Sequence, residues 1–186
     1  MYQREVLLEL IRQKALKFGN FTLASGRQAT YYLDGKQVTL DSRGLRLIGG
    51  GILELLKQIG PWPHLIGGLA IGADPLTAAV LTLAGEENLP LAGVLIRKEA
   101  KGHGLQKYLE GPAQPGNTIV IVEDVVTTGG SSLTAIERCR EFGLQVQSVI
   151  CVIDRLEGGA AAFAAQGLTL HSLFTIRDFG LEPPVL

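Results

Sequence analysis

The sequence has little with which to build a disulfide framework, a metal centre, a membrane anchor or a nucleic-acid-binding surface. Its 186 residues include two cysteines, Cys139 and Cys151, without metal-ligand spacing. Both fall in segments that should pack, one helical and one an apolar strand, where a thiol behaves as a small inert hydrophobe. Hydrophobic residues make up 46% of the chain, yet no run approaches the roughly 18 apolar residues of a membrane span. A net charge of −1 excludes binding to nucleic acid through bulk positive charge, so any basic function must be local. Neither G-x-x-x-x-G-K-[ST] nor a strand-linked G-x-G-x-x-G with a distal acid is present, which removes two common nucleotide-binding loops. No repeat, low-complexity segment or interdomain linker is visible, and the length suits one α/β domain. Residues 1–19 interrupt their apolar positions with Arg4, Glu5, Glu9, Arg12 and Lys14, unlike a signal peptide, and read as an amphipathic helix of a cytoplasmic protein.

Within that helix Val6, Leu7, Leu10, Ile11 and Phe18 recur at helical spacing, and Gly19-Asn20 is the expected stop. Residues 21–40 predict short strands joined by turns at Ser25-Gly26 and Asp34-Gly35. Asp41 or Ser42 caps a second helix with Leu45, Ile48, Ile52, Leu55, Leu56 and Ile59 on one face. Its Gly49-Gly50-Gly51 predicts a compensating close contact, with the sheet or with another subunit. From Pro61 onward strands near 65–70, 91–96, 118–123, 147–153 and 168–173 alternate with helices near 75–85, 131–142 and 157–166. Such alternation predicts a parallel sheet covered on both faces, with ligands at the carboxyl ends of its strands.

The most informative run is TIVIVEDVVTTGGSS, residues 118–132. An apolar strand ends in two adjacent carboxylates, Glu123 and Asp124. Hydroxyls, unhindered backbone N–H groups and a helix N-terminus follow in Thr127, Thr128, Gly129, Gly130, Ser131 and Ser132, a combination suited to a phosphate. Acids beside a phosphate cradle must face something else, and a vicinal diol offers two donors to a group that only accepts. The alternative is an ordinary αβ connection with turn glycines and solvated acids. A second unusual stretch, 97–116, is long and polar and carries Arg97, Lys98, Lys101, His103 and Lys107. By composition it is a solvated loop; beside a diphosphate site it is a cationic lid.

Taken together, these stretches resemble the type I phosphoribosyltransferases. FTLASGRQATYYLDGK (21–36), GGLAIGADPLTAAV (67–80), IRKEAKGHG (96–104) and DRLEGG (154–159) narrow the resemblance to the orotate branch. The resemblance implies a central parallel β-sheet flanked by helices, with a small N-terminal hood (1–40), an α/β core (61–175) and a flexible catalytic loop (97–116). It further implies transfer of the 5-phosphoribosyl group from phosphoribosyl diphosphate to orotate, giving orotidine 5′-monophosphate and diphosphate in pyrimidine biosynthesis. Mg²⁺ and a homodimer with shared active sites belong to the same expectation.

By that resemblance Lys101, Asp124 and His103 are catalytic, with His103 either a proton donor or a phosphate ligand. Arg97, Lys98, Lys101, His103, Ile71 and Gly72 bind phosphoribosyl diphosphate, the backbone amides of Ile71, Gly72 and Ala73 facing its diphosphate. Glu123 and Asp124 hold the ribose, and Asp124 reaches the metal through water. Val125, Val126, Thr127, Thr128, Gly129, Gly130 and Ser131 cradle the 5′-phosphate. Arg155 and Thr127 face orotate, with Tyr31, Tyr32 and Leu33 around its ring. The bland alternative for Arg155 is a salt bridge to Asp154 or Glu157. The chain departs from the family pattern in carrying Ala24 where many members carry lysine and Gly72 where some do, and Lys36 is a candidate substitute. Competing functions are a transferase for uracil or a purine, and a binding protein that keeps the diphosphate site only as a sensor.

Overall fold

A computed structural model describes residues 2–22, 28–99 and 108–183. The first helix, α1 (Arg4–Lys14), ends earlier than its apolar spacing predicts, with the Ala15 N–H closing the last turn on Ile11 O. Gly19-Asn20 is not its stop. Those residues lie in β1 (Leu16–Thr22), which pairs antiparallel with β2 (Gln28–Leu33) through an irregular register between Phe18 and Phe21. Phe18 is correspondingly 69% exposed on a strand. Pairing with β2 outweighs the helical period here, because Leu16 and Phe18 also fit a strand opposite Leu33 and Tyr31. Strand structure also stops short of residue 40, giving way to the one-turn helix α2 (Lys36–Thr39).

Asp41 caps α3 (Ser42–Gln58), its carboxylate accepting the Gly44 N–H at 2.9 Å. The Gly49-Gly50-Gly51 run of α3 does mark a close approach, made within the chain. A Cβ on Gly49 would lie 3.0 Å from that of Ala79 in α4 (Asp74–Glu86), and one on Gly51 would meet Tyr2 and Leu173. A residue pair that lets two helix backbones approach offsets the propensity lost to glycine.

The main sheet has the order β5-β4-β3-β6-β7-β8. Its strands are β3 (Leu65–Leu69), β4 (Ala92–Ile96), β5 (Leu109–Glu110), β6 (Thr118–Val126), β7 (Gln145–Asp154) and β8 (Leu170–Thr175). All pairings are parallel except β5 with β4, a two-residue antiparallel stub inside the polar stretch that the sequence pattern does not announce. Side-chain alternation along the strands feeds two apolar layers. Ile66, Val120, Val122, Ile150 and Val152 pack with α1, α3 and α4. Leu65, Ile119, Ile121, Val149 and Cys151 pack with α5 (Gly130–Phe142) and α6 (Gly159–Ala164). Both cysteines are buried free thiols, as their settings predict.

Connections leave β3 and β6 toward opposite sides of the sheet, so the crevice between their carboxyl ends is a switch point, where open α/β sheets bind ligands. β3 is built for close approach. A Cβ on Gly67 would lie 2.0 Å from Val94 O, and one on Gly68 would lie 2.1 Å from Val122 O. Gly67→Ala is therefore expected to cost about 3 kcal/mol or more, on the order of 6–12 °C in Tm. Gly85, late in α4, has nothing within 4 Å of the point where a methyl group would stand. Gly85→Ala should instead stabilise the fold by about 0.5–1 kcal/mol, and thermal unfolding of the two variants checks the pair.

Candidate active site

β6 runs past the end of β3 and turns at Thr127–Gly129 into α5. Gly129 makes the turn in the left-handed region at φ 85°, pressed against the Phe163 ring so that a Cβ there would meet it at 2.8 Å. The first N–H groups of α5 have no intrahelical acceptor and carry the positive end of the helix dipole. Thr127 is held from the other side, its carbonyl accepting the Gly159 N–H at 3.0 Å. Glu123 and the turn residues enclose a small cavity of about 30 Å³. Gly130 and Ser131 are exposed on it and Thr128 is exposed beside them, whereas the Val126 side chain is in the core. Only the backbone of Val126 is therefore left to border the cavity.

The two carboxylates have different surroundings. Glu123 is buried, with Ser132 Oγ donating to Oε2 at 3.2 Å and the Asp124 N–H donating to Oε1 at 3.3 Å. Burial first, and then the charge of Asp124, push its carboxyl up to about 7. Asp124 accepts the Val125 N–H at 2.8 Å, and Lys36 Nζ lies 3.9 Å from its Oδ2. Two glycines let the backbone crowd this acid pair. A Cβ at Gly35 would stand 3.1 Å from Asp124 Oδ2, and one at Gly72 would stand 3.3 Å from Glu123 Oε1. A side chain at position 72 would therefore begin against both acids. Lys36 places a cation near the same group from the opposite side.

Across the crevice, the turn Ala70–Ala73 follows β3. Ile71 is 72% exposed, and Gly72 is half-buried. Ala73 does not offer its amide to a ligand, because that N–H is committed to Leu69 O at 3.3 Å. The amides of Ile71 and Gly72 remain as the expected diphosphate donors. The turn borders a cavity of about 460 Å³ shared with Leu95, Arg97 and Lys98. Asp74 Oδ1 is buried there without a hydrogen bond among the described residues, and burial raises its carboxyl above the usual range. Arg97 is less a part of the loop than of its base. Its N–H donates to Tyr108 O at 2.7 Å and its side chain pairs with Glu110 at 3.2 Å. Lys101, His103 and Lys107, like Ala24, lie outside the described residues.

Arg155 follows β7, its N–H bound to Val126 O at 2.9 Å, which sets it beside the Thr127–Gly129 turn. Its Nη2 lies 2.7 Å from Glu157 Oε1 and 3.4 Å from the Tyr31 hydroxyl, with the guanidinium carbon 5.2 Å from the Tyr31 ring centre. The salt bridge to Glu157 is therefore real, but it is a buried contact at the strand ends rather than a surface pair. Arg155 Nε is buried with no acceptor among the described residues, an arrangement that costs about 1–3 kcal/mol unless an acceptor is supplied. Tyr32 does not join this group. Strand alternation turns it to the other face, where it is 47% exposed and meets Phe21 at 5.7 Å. Leu33 packs on the core.

Residues 38–162 match a family model described as a phosphoribosyl transferase domain. The chain is 54% identical to an orotate phosphoribosyltransferase of Rhodopirellula baltica, over 95% of this chain and 94% of the relative. It is 41% identical to one from Aquifex aeolicus, over 96% and 98%. Among solved structures, Mycobacterium tuberculosis orotate phosphoribosyltransferase in complex with Fe(III) dicitrate superposes with a TM-score of 0.83 at 38% identity, over 96% of this chain and 99% of that one. The same enzyme in complex with 5-phospho-α-D-ribosyl 1-diphosphate gives 0.79 at 34%, over 96% and 99%.

The acid pair makes stability depend on pH. The folded chain holds a proton on Glu123 up to about 7, whereas the usual value is 4.5, so its contribution is full below about 4.5 and is lost as pH rises through about 7. Over that interval Glu123 should remove up to about 3 kcal/mol. Glu123→Gln is expected to abolish this share of the slope and to melt above the wild type at pH 8, as calorimetry at several pH values would record.

Proposed function

Given that the chain belongs to the phosphoribosyl transferase family, we propose the following account of its chemistry. It is an orotate phosphoribosyltransferase, joining the phosphoribosyl group of phosphoribosyl diphosphate to orotate with release of diphosphate. One observation carries the choice of base: an arginine, placed by Val126 O beside the phosphate turn, holds a buried donor for which its own chain provides no acceptor among the described residues. Orotate brings a carboxylate, which a guanidinium binds through charge-assisted hydrogen bonds.

In this reading the 5′-phosphate rests on the amides and hydroxyls of Thr127–Ser131 at the start of α5, and Asp124 accepts from the ribose hydroxyls. Glu123, with its proton shared near neutral pH and its carboxyl tied to Ser132, acts mainly by orienting this pocket. The Ile71 and Gly72 amides face the diphosphate. Breaking the C1–O bond leaves positive charge on the sugar and gathers negative charge on the leaving group, so positioning and electrostatics do most of the work. Mg²⁺ fits a site of this kind, because it is commonly bound by substrate phosphates, water and one or two carboxylates, and Asp124 is such a carboxylate at the crevice. It would supply charge neutralisation for the departing diphosphate.

The proposal extends to a hood formed by residues 1–40, supported by Gly35 lying on Asp124 and Tyr31 beside Arg155. It also includes a symmetric homodimer in which Lys101 and His103 of one protomer act in the pocket of the other, and a location in the cytoplasm. Among the described residues no helix is long and apolar enough to cross a membrane.

Incubation with phosphoribosyl diphosphate, Mg²⁺ and orotate, uracil, hypoxanthine or adenine tests the reading, with nucleotide expected from orotate; formation only from another base would overturn it. Asp124→Asn should lower kcat/KM at least about ten- to hundredfold, because an amide presents a donor where a ribose hydroxyl needs an acceptor. Lys101→Ala should lower kcat by about 10²–10³ with smaller changes in affinity. Mixed under conditions of confirmed subunit exchange, these two variants are expected to regain activity, since one hybrid pocket is then intact. A mixture as inactive as its parents would place each loop over its own subunit.

A further inference from the structure

A buried acid beside a pocket for an acidic base is unexpected, since it repels the ligand that the pocket must accept. Glu157 is such a residue, 6% exposed, with its Oε1 2.7 Å from Arg155 Nη2. The chain goes out of its way to put it there. Leu156 takes up the left-handed conformation at φ 58°, uncommon for a branched side chain, and Gly158 follows at φ 96°. The Leu156 turn is held by its N–H donating to Asp154 Oδ1 at 2.8 Å, and the next residue after Gly158, Gly159, is bound to Thr127 O. Two left-handed residues on either side of Glu157 thus fold its carboxylate back onto the guanidinium.

We propose that Glu157 is a positioning residue for the base site, fixing the Arg155 guanidinium in the orientation that receives the substrate carboxylate. This rests on the reading of Arg155 given above. A long arginine side chain loses much rotamer freedom when it grips a ligand, and a guanidinium already anchored at Nη2 has less to lose. Five N–H groups are available, so anchoring one nitrogen leaves others for the ligand. The pair also lets a guanidinium be buried without an uncompensated charge before substrate arrives. Tyr31, at 5.2 Å, limits the ring-side motion of the same group.

Steady-state constants of Glu157→Gln provide the test, with circular dichroism establishing that the variant is folded. The expected result is an orotate KM raised about tenfold or more, while kcat and the KM for phosphoribosyl diphosphate change less than about threefold. In an Arg155→Ala background the same substitution should leave the orotate KM where Arg155→Ala alone puts it, because the route through the guanidinium is gone. Should Glu157→Gln not fold, Glu157→Asp is read by the same constants, its carboxylate being drawn back by one methylene. An unchanged or lower orotate KM would overturn the proposal, as would equal rises for both substrates or a further loss without Arg155. Wild-type protein that makes no nucleotide from orotate would overturn the base assignment itself. Normal wild-type turnover with an unaffected Glu157 variant would overturn only the positioning role.

Discussion

Glu123 and Asp124 are neighbours at the end of a strand, in a crevice where water cannot solvate both. Two like charges so placed are costly, and the surrounding structure is arranged around that cost. Ser132, one turn into α5, donates to Glu123; the backbone folds tightly so that Val125 donates to Asp124; Lys36 approaches from the N-terminal segment. Glycines at 35 and 72 leave no side chain to crowd the pair. The outcome is a division of labour, in which one acid retains its proton near neutrality and braces the pocket while the other faces the crevice.

The turn at Thr127–Gly129 and Arg155, proposed here to hold phosphate and base, come from different βα connections, yet they behave structurally as one piece. Gly159 ties its N–H to Thr127 O, Arg155 ties its own to Val126 O, and Phe163 of α6 supports Gly129. The parallel register of β6 and β7, with Val126 opposite Asp154, brings the two turns level. A shift of that register would separate the Thr127–Gly129 turn from Arg155, so the sheet fixes the distance between the two proposed halves of the site.

Much of this is legible in the order of residues alone. The strand and helix alternation after Pro61, the Asp41 cap and the strand-turn-helix course of 118–132 each rest on local chemistry and hold closely. The elements that escape such a reading depend on partners distant in sequence. Phe18 continues the apolar period of α1 as far as Gly19, and only pairing with β2 makes that residue part of a strand. The β5 stub has one buried apolar residue, Leu109, too little for any periodicity. Tyr31 and Tyr32, adjacent on β2, differ in burial because neighbouring strand residues face opposite ways, a signal the sequence does carry. Ser132 as the partner of Glu123 follows only once the turn into α5 brings positions nine apart together.

The β5 stub has a consequence beyond the active site. A strand at the margin of a sheet presents unpaired amides and carbonyls that invite another chain to add itself. Here the polar segment that carries the lysines and histidine returns to cover Leu95 and Ile96 of β4, and Gly111 packs onto Gly93 O, where a Cβ would come within 2.4 Å. The loop is thereby closed by a short ladder at its base, so residues can be inserted or removed between its ends without baring a template for edge-to-edge aggregation.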